Sequence, residues 1–581
     1  MSIKKFNVIG IHQSGPISSA ALVSNGKVVF ASAEERFSRI KHDDLFPEKT
    51  IKYILKKYKL DFKDINFFSI GWNPGENLSI RYRRNFSNTF RYPGDIITSV
   101  SNQILGNFSK TKIENSLVVF QNTNFQKKNK IKIDFVDHHT AHLRLGIHSS
   151  GFKECAVLVV DAWSEQKATS LYIYKNKTTK LLKVFKFPNS IGCFYSSLTQ
   201  FLGFRPLKDE WKVMGMSAYG NCKKVNADFF KLIKIYENGN YELNLKYFDF
   251  YNFDRKQWFA KELENILGKP RKENEKITQR HYDIAAATQN LFSKIINNLL
   301  KDLYKKTKSD NLVFTGGCAM NSVYNGTIKN FSKFKKISIS FAPDDSGNSI
   351  GAALDTTEKN KIKLNRDNFS SFLGIEISDG EILKYLKLYK IKFHKPKNLI
   401  KSLSQMLSNN LVVGIFRGRS EFGQRALGNR SILASPIDKK IKDKINKLIK
   451  FREGFRPFAP VIKSEDLQKI FNTKDTDNVH YMEKVFKFRK KFYSVCPGVI
   501  HKDFTGRLQT VNKKTNIFIY NLIDEFEKET SCPVLLNTSL NTHNLPMANS
   551  LNDALQVFFT SGLDAIVLGN VIVMKNDNLE K

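Results

Sequence analysis

Cysteine is scarce and scattered in this chain of 581 residues. The six cysteines, at 155, 193, 222, 318, 496 and 532, never form a C-x-x-C pair. That spacing excludes a zinc knuckle and a disulfide framework, and it fits free thiols in a reducing cytoplasm. No apolar stretch approaches the roughly 20 residues that span a bilayer. The basic N-terminus carries too short an apolar run for a signal peptide. Acidic residues are in deficit, 55 against 93 Lys+Arg, which leaves a formal charge of +38. No basic tail and no DNA- or RNA-binding motif accompanies that charge, so it reads as a lysine-rich solvated surface and argues against a nucleic-acid partner. G-x-S-x-G, G-x-x-x-x-G-K-[ST] and the protein-kinase signatures are missing too, which leaves a serine hydrolase or a P-loop enzyme unsupported.

What is present describes a globular protein of more than one domain. Hydrophobic residues make up 41%, with 47 Phe and 20 Tyr to fill cores. FNVIGIH, SSAALVSNG and KVVFASAEER read as strand, tight turn, strand, turn, strand. CAVLVVDAW, ATSLYIYKN and KLLKVFKFP repeat that pattern from residue 155. An internal repeat of this kind predicts two related α/β halves, with ligands bound at strand C-termini. HHTAHLRLGIHSSGF and YDIAAATQNLFSKIINNLLKDLYKK have helical spacing, and NLVFTGG is a strand that ends in glycines. The polar run DTTEKNKIKLNRDNF (355–369) marks a domain boundary. Beyond it LVVGIF reads as a buried strand, GRSEFGQRALGNRSILASP as a Gly/Arg-rich loop, and LNDALQVFFTSG with DAIVLGNVIV as a closing helix–strand pair.

Four of the chain's 11 histidines fall between His138 and His148. His138 and His142, four apart, share one helical face and can bind one ion. Asp161 and Asp345 each end a predicted buried strand, where a carboxylate needs a cap, a partner or a cation. These four make a mixed N/O site for Fe²⁺, Mn²⁺ or Zn²⁺. Asp137 and Asp344 are rivals in the same turns, His139 is expected to face away, and His148 lies off the shared face. TGGCAMN offers Gly316, Gly317 and Asn321 to a nucleotide, and DSGNSIGAA opens a helix at Gly347 with small residues. Arg419, Arg425 and Arg430 lie in one Gly-punctuated loop, with Lys450, Arg452, Arg456 and Arg507 following. Glu421 and Glu453 cannot neutralise so many cations, so the set predicts an anion pocket.

With these motifs in hand, the chain resembles the NodU/CmcH family of O-carbamoyltransferases. The resemblance runs nearly end to end through EERFSRIKHDDLFP, DHHTAH, DEWKVMGMSAYG, TGGCAMNS, PDDSGNSIGAA, GRSEFGQRALGNRSILASP, FREGFRPFAPV, DFTGRLQTV and LLNTSLN. It implies an α/β chain with a duplicated actin/Hsp70-like (ribonuclease H-like) N-terminal domain over 1–362 and an α+β YrdC-like domain over 370–581. It implies that carbamoyl phosphate and ATP, with Mg²⁺, give carbamoyl adenylate in the second domain. A divalent metal in the first, Fe²⁺ before Mn²⁺ or Zn²⁺, then assists transfer to a hydroxyl of a small molecule or glycan.

Carried over by position, the resemblance puts the metal on His138, His142, Asp161 and Asp345, with His138, His142, Lys41 and Arg39 as the catalytic set. The adenylate falls to Gly316, Gly317, Asn321 and Gly347. Carbamoyl phosphate and ATP fall to Arg425, Arg430, Lys450, Arg452, Arg456, Arg507, Asn537 and Ser539. The free thiols place the chain in the cytoplasm, and its oligomeric state is left open, with a homodimer among the forms allowed. Where family members carry His-Asp before the first Ser-Ala pair, this chain has Gly15 and Pro16. Asn544-Leu545-Pro546 stands for a usual Gly-Glu-Pro, and Ala162 and Ser164 replace glycines. The alternatives weighed are a tRNA threonylcarbamoyl-type enzyme and a degenerate nucleotide-binding relative. Trp72, Phe86, Phe90 and Tyr92 are candidates for an acceptor pocket, with core packing the better reading of scattered aromatics.

Overall fold

A computed structural model of the chain describes residues 5–13, 15–73, 132–252, 255–452, 456 and 458–575. Phe86, Phe90, Tyr92, Glu453, Phe455 and Pro457 lie outside the described residues. The chain divides into two compact units. The first holds the described residues of Met1–Glu34, His42–Asn321 and Ile328–Phe369; the second holds Glu35–Lys41, Ser322–Thr327 and Ser370–Lys581. The polar run therefore ends where one unit gives way to the other. Two short segments, 35–41 and 322–327, also belong to the second unit, so Arg39 and Lys41 are not residues of the first.

The first unit contains two five-stranded sheets of one topology. One is built from β1 (Asn7–His12), β2 (Ser19–Ser24), β3 (Lys27–Ala33), β4 (Phe67–Ile70) and β5 (Ile133–Phe135), in the order β3-β2-β1-β4-β5. The other is built from β6 (Cys155–Val160), β7 (Lys167–Lys175), β8 (Thr178–Lys186), β11 (Asn311–Thr315) and β12 (Lys336–Ser338), in the order β12-β11-β6-β7-β8. A separate ribbon pairs β9 (Ile233–Ile235) with β10 (Tyr241–Leu243). In each sheet a three-strand antiparallel meander is extended by two parallel strands. The second strand of each meander turns back through two residues of positive φ, Asn25-Gly26 and Asn176-Lys177. Such turns match the twist of the strands they join. Both β1 and β6 are buried along their whole length, as strands covered on two faces must be.

Close backbone packing sets the site. The Asn348–Lys359 helix lies on β1 and against the His138–Ser150 helix. A Cβ at Gly10 would stand 1.8 Å from the Ser349 carbonyl oxygen, and one at Gly351 would stand 1.9 Å from that of Ala141. Glycine at these two places lets strand and helices approach until residues at their ends meet.

The second unit is built on a nine-stranded mixed sheet. Its strands are β13 (Val413–Phe416), β14 (Arg430–Ala434), β15 (Ala459–Lys463), β16 (Phe471–Asn472), β17 (Lys484–Phe488), β18 (Thr505–Val511), β19 (Leu535–Ser539), β20 (Ala565–Leu568) and β21 (Val571–Met574). Their order is β16-β17-β18-β15-β19-β14-β13-β20-β21. The helices Leu399–Ser408 and Ile517–Thr530 pack on one another beside it. Two expectations fail locally. DAIVLGNVIV is not one strand but the hairpin β20–β21, because Gly569 takes a φ of +56° and turns the chain. The Gly/Arg-rich stretch is not all loop, since its end forms the fully buried β14. Among the described residues no helix is long and apolar enough to cross a membrane.

Candidate metal centre and anion pocket

His138 opens the helix that runs to Ser150, and Asp137 caps it by accepting from the Thr140 N–H at 3.0 Å. The cap fixes the first turn, so His138 and His142 project from one face. Asp161 follows β6, and Asp345 lies in the turn before the Asn348–Lys359 helix. One donor atom from each of these four residues lies within 4.8 Å of all the others. Asp161 Oδ2 stands 3.1 Å from His138 Nε2 and 2.9 Å from His142 Nε2. Asp345 Oδ1 stands 3.4 Å from both imidazole nitrogens. The two Nε2 atoms are 3.2 Å apart. Donors bound at about 2.1 Å to one tetrahedral ion would stand roughly 3.4 Å from each other, so the spacing suits a metal.

The surroundings prepare these donors. His138 Nδ1 lies 3.2 Å from the Gly71 carbonyl oxygen, an acceptor for a proton on Nδ1 in the tautomer whose Nε2 lone pair would face an ion. Asp161 Oδ1 accepts from the Ala162 N–H at 2.8 Å and the Gly317 N–H at 3.4 Å, which leaves Oδ2 for the imidazoles. Burial pushes the His138 and His142 imidazolium forms down, but hydrogen bonds to Asp161 and Asp345 outweigh it and raise both above the ordinary histidine value. Burial likewise opposes ionisation of the two carboxyls, and the imidazoles outweigh it, holding Asp161 and Asp345 below the usual carboxylate range.

The rival residues in these turns have other partners. Asp137 pairs with Lys167 Nζ at 2.8 Å as well as capping the helix, and Asp344 accepts from Ser346 Oγ at 2.7 Å. His139 turns to Ser170 Oγ, and burial pushes its imidazolium down to about 3. His148 packs edge-on against Phe369. Trp72 is buried with its ring edge-on to His138, 5.0 Å between centroids.

Of the nucleotide candidates, Gly316 adopts a φ of +91°, and a Cβ there would lie 2.3 Å from the Val160 carbonyl oxygen. Gly317 points its N–H at Asp161, and Gly347 closes a turn on the Asp344 carbonyl. Asn321 exchanges two amide hydrogen bonds with Gln289, at 2.9 and 3.2 Å, so its amide is already paired.

In the second unit cations gather. Burial pulls the Lys450 ammonium well below the ordinary lysine value, and Arg452 and Lys41 add to it. Its acceptors are neutral: Ser539 Oγ at 3.3 Å, Asn541 Oδ1 at 2.8 Å, and the Ser539 and Asn541 carbonyl oxygens. Burial pulls Arg507 well below the arginine value, and Arg425 and Arg452 are the charged groups that reinforce the shift. Asn446 ties the neighbouring stretch together, accepting from Arg452 Nε at 2.8 Å and donating to the Arg456 carbonyl at 3.1 Å. Asn537 donates to Gln509 Oε1 and to the Ala426 carbonyl. Glu421 accepts from the N–H groups of Leu427, Asn429 and Arg430.

Two expected residues do other work. Arg430 is fully buried; its guanidinium stacks on Phe416 and donates to the carbonyls of Arg417, Gly418, Asn429 and Ile375. Those bonds hold the Gly/Arg loop. Arg39 pairs with Asp553 at 3.1 Å and donates to the carbonyls of Pro546 and Met547, all within the second unit.

Three residues at the metal cage escaped the sequence reading. His12 ends β1 and faces Asp345 at 3.6 Å. Asn348 Nδ2 lies 3.1 Å from His138 Nδ1, and Glu165 accepts from the His138 and Asn73 N–H groups. The internal repeat is the signal that finds His12, because it ends β1 much as Asp161 follows β6.

Comparison with known proteins follows this division. A family model described as carbamoyltransferase N-terminus matches residues 7–354, and one described as carbamoyltransferase C-terminus matches residues 404–575. An uncharacterized protein of Synechocystis sp. is 31% identical, covering 98% of this chain and 97% of its own length. The nodulation protein NolO of Bradyrhizobium diazoefficiens is 32% identical over 76% of this chain and 79% of its own. Nodulation protein NolNO of Sinorhizobium fredii is 29% identical over 96% and 78%. Among solved structures, HypF from T. kodakarensis aligns with a TM-score of 0.32 and 9% identity over 61% of this chain and 48% of its own, a likeness too low to bear on function.

Proposed function

The chain belongs to the carbamoyltransferase family and is a transferase, and on that premise we propose that it is an ATP-dependent O-carbamoyltransferase with two reaction sites. The second unit breaks down carbamoyl phosphate and joins the carbamate to ATP, giving carbamoyl adenylate and pyrophosphate. The first unit transfers the carbamoyl group to an acceptor hydroxyl and releases AMP. In fold terms, the first unit is an actin/Hsp70-like duplication, a reading supported by its two sheets of one topology. The second is a YrdC-like domain.

One observation carries the reading: two imidazoles and two carboxylates from three separate segments converge within 4.8 Å. His138, His142, Asp161 and Asp345 would hold a divalent ion, which would supply Lewis acidity for the carbamoyl transfer. The mixed N/O set suits Fe²⁺, Mn²⁺ or Zn²⁺. The Gly71 carbonyl offers His138 Nδ1–H an acceptor in the ligating tautomer, and Asp161 is oriented by the Ala162 and Gly317 N–H groups. The backbone at Gly316 and Gly317 lets the adenylate approach that carboxylate. In the second unit Arg425, Arg452, Arg456, Arg507 and Lys450 orient and neutralise phosphate oxygens, with Lys41 beside Lys450. The acceptor is a small molecule or glycan with a free hydroxyl.

The test is an incubation of the purified chain with ATP, carbamoyl phosphate and Mg²⁺, without acceptor. Pyrophosphate and carbamoyl adenylate that depend on both substrates support the reading. Pyrophosphate release indifferent to carbamoyl phosphate, in folded and metal-replete protein, overturns it.

A further inference from the structure

His12 is the last residue of β1, the strand at the middle of the first sheet, and its side chain is 0% exposed. Neither ring nitrogen has a hydrogen-bond partner among the described residues. A buried imidazole costs stability unless its N–H is satisfied, so this ring needs a partner close by. The candidate is plain from the distances. Nε2 stands 3.6 Å from Asp345 Oδ2, and the ring centroid is 5.5 Å from that of His138. His12 is not one of the four residues whose donor atoms all lie within 4.8 Å of one another. It stands behind Asp345 and outside the cage.

The two oxygens of Asp345 therefore have different surroundings. Oδ1 faces His138 and His142. Oδ2 lies against His12 and against the bare backbone of Gly15, where a Cβ would come within 1.9 Å of it. Gly15 makes room for the carboxylate but offers it no side-chain donor. A carboxylate that ligates through one oxygen is oriented by a donor on the other, and such outer partners tune metal affinity.

We propose that His12 is a positioning residue of the metal centre: its Nε2–H donates to Asp345 Oδ2 and so aims Oδ1 at the ion. The inference rests on the reading of His138, His142, Asp161 and Asp345 as a metal site. The same contact gives the unpartnered imidazole a use for one nitrogen.

The experiment titrates the metal-free full chain with Co²⁺ and follows its visible d–d absorption in wild type, His12→Ala and His12→Gln. Wild type is expected to bind. His12→Ala weakens binding by about 10–100-fold, with band position and intensity unchanged because the ligands are the same. His12→Gln, which retains an N–H donor, recovers most of the affinity and is decisive by itself if His12→Ala does not fold. Affinity unchanged in His12→Ala overturns the proposal, and so does a tenfold or greater loss in a folded His12→Gln. A shifted band in either variant overturns it as well, by making His12 a direct ligand. Wild type that binds no Co²⁺ removes the metal reading itself, a result distinct from wild type and variants binding alike.

Discussion

In the first unit two carboxylates face two imidazoles inside one small cage, whereas in the second unit a buried lysine bonds neutral acceptors and Arg507 is buried near Arg425 and Arg452. The first arrangement is nearly balanced without a ligand, because the imidazoles can hold protons where an ion would sit. In the second, a buried guanidinium keeps its proton and costs free energy unless acceptors or an anion compensate it. A site poised for a cation can wait as a hydrogen-bonded cluster. Lys450 and Arg452 are held by hydroxyl and amide oxygens of Ser539, Asn541 and Asn446.

The largest expected effect separates the two sites outright. Asp161→Asn, or His142→Ala, lowers metal affinity by at least about 100-fold, read by metal analysis after dialysis. Either change abolishes transfer to acceptor and leaves pyrophosphate release intact. In the second unit Arg507→Ala lowers pyrophosphate release by about 10²–10³-fold at unchanged metal content. Arg507→Lys restores part of it, because an ammonium replaces the charge without the bidentate fork. Arg430→Met sharpens the contrast within the arginines themselves. It leaves four backbone carbonyls without their donor and costs about 1–3 kcal/mol in denaturant unfolding, so its loss of activity follows its loss of fold.

The cage also makes a pH prediction. In the metal-free protein His138 and His142 are raised above the unfolded histidine value of about 6.5. Their contribution to stability is fully present below that value and is lost as pH rises through the folded pKa values. An ion replaces those protons, so metal affinity rises with pH over the same window. The gap in melting temperature between loaded and metal-free protein widens from pH 6 to pH 8.5. A gap that narrows would break the comparison. The smallest effect concerns the frame of the cage: Asp137→Ala removes a helix cap and the Lys167 pair, costing about 1 kcal/mol and weakening metal binding only a few-fold.

Much of this was legible in the sequence, for identifiable reasons. Strand alternation and the NG turn gave β1 to β3, and the same grammar at residue 155 exposed the repeat. The i, i+4 histidines and the acids at two strand ends named the cage because each is a local pattern. What stayed hidden depends on which chain ends meet. The repeat places His12 at a strand end, but its relation to Asp345 exists only once Gly10 and Gly351 have let the Asn348–Lys359 helix settle. The carbonyl contacts of Arg430 and Arg39 are hidden for a related reason. A guanidinium that binds backbone carbonyls leaves no mark in sequence that distinguishes it from one that binds phosphate.

The most direct test of the two-site account is a single assay of acceptor-free pyrophosphate release, with bound metal measured on the same samples, for His142→Ala and Arg507→Ala side by side. A double dissociation is expected: His142→Ala loses metal and keeps pyrophosphate release, and Arg507→Ala keeps metal and loses the release. Loss of pyrophosphate release in a folded His142→Ala, or its survival in Arg507→Ala, would contradict it.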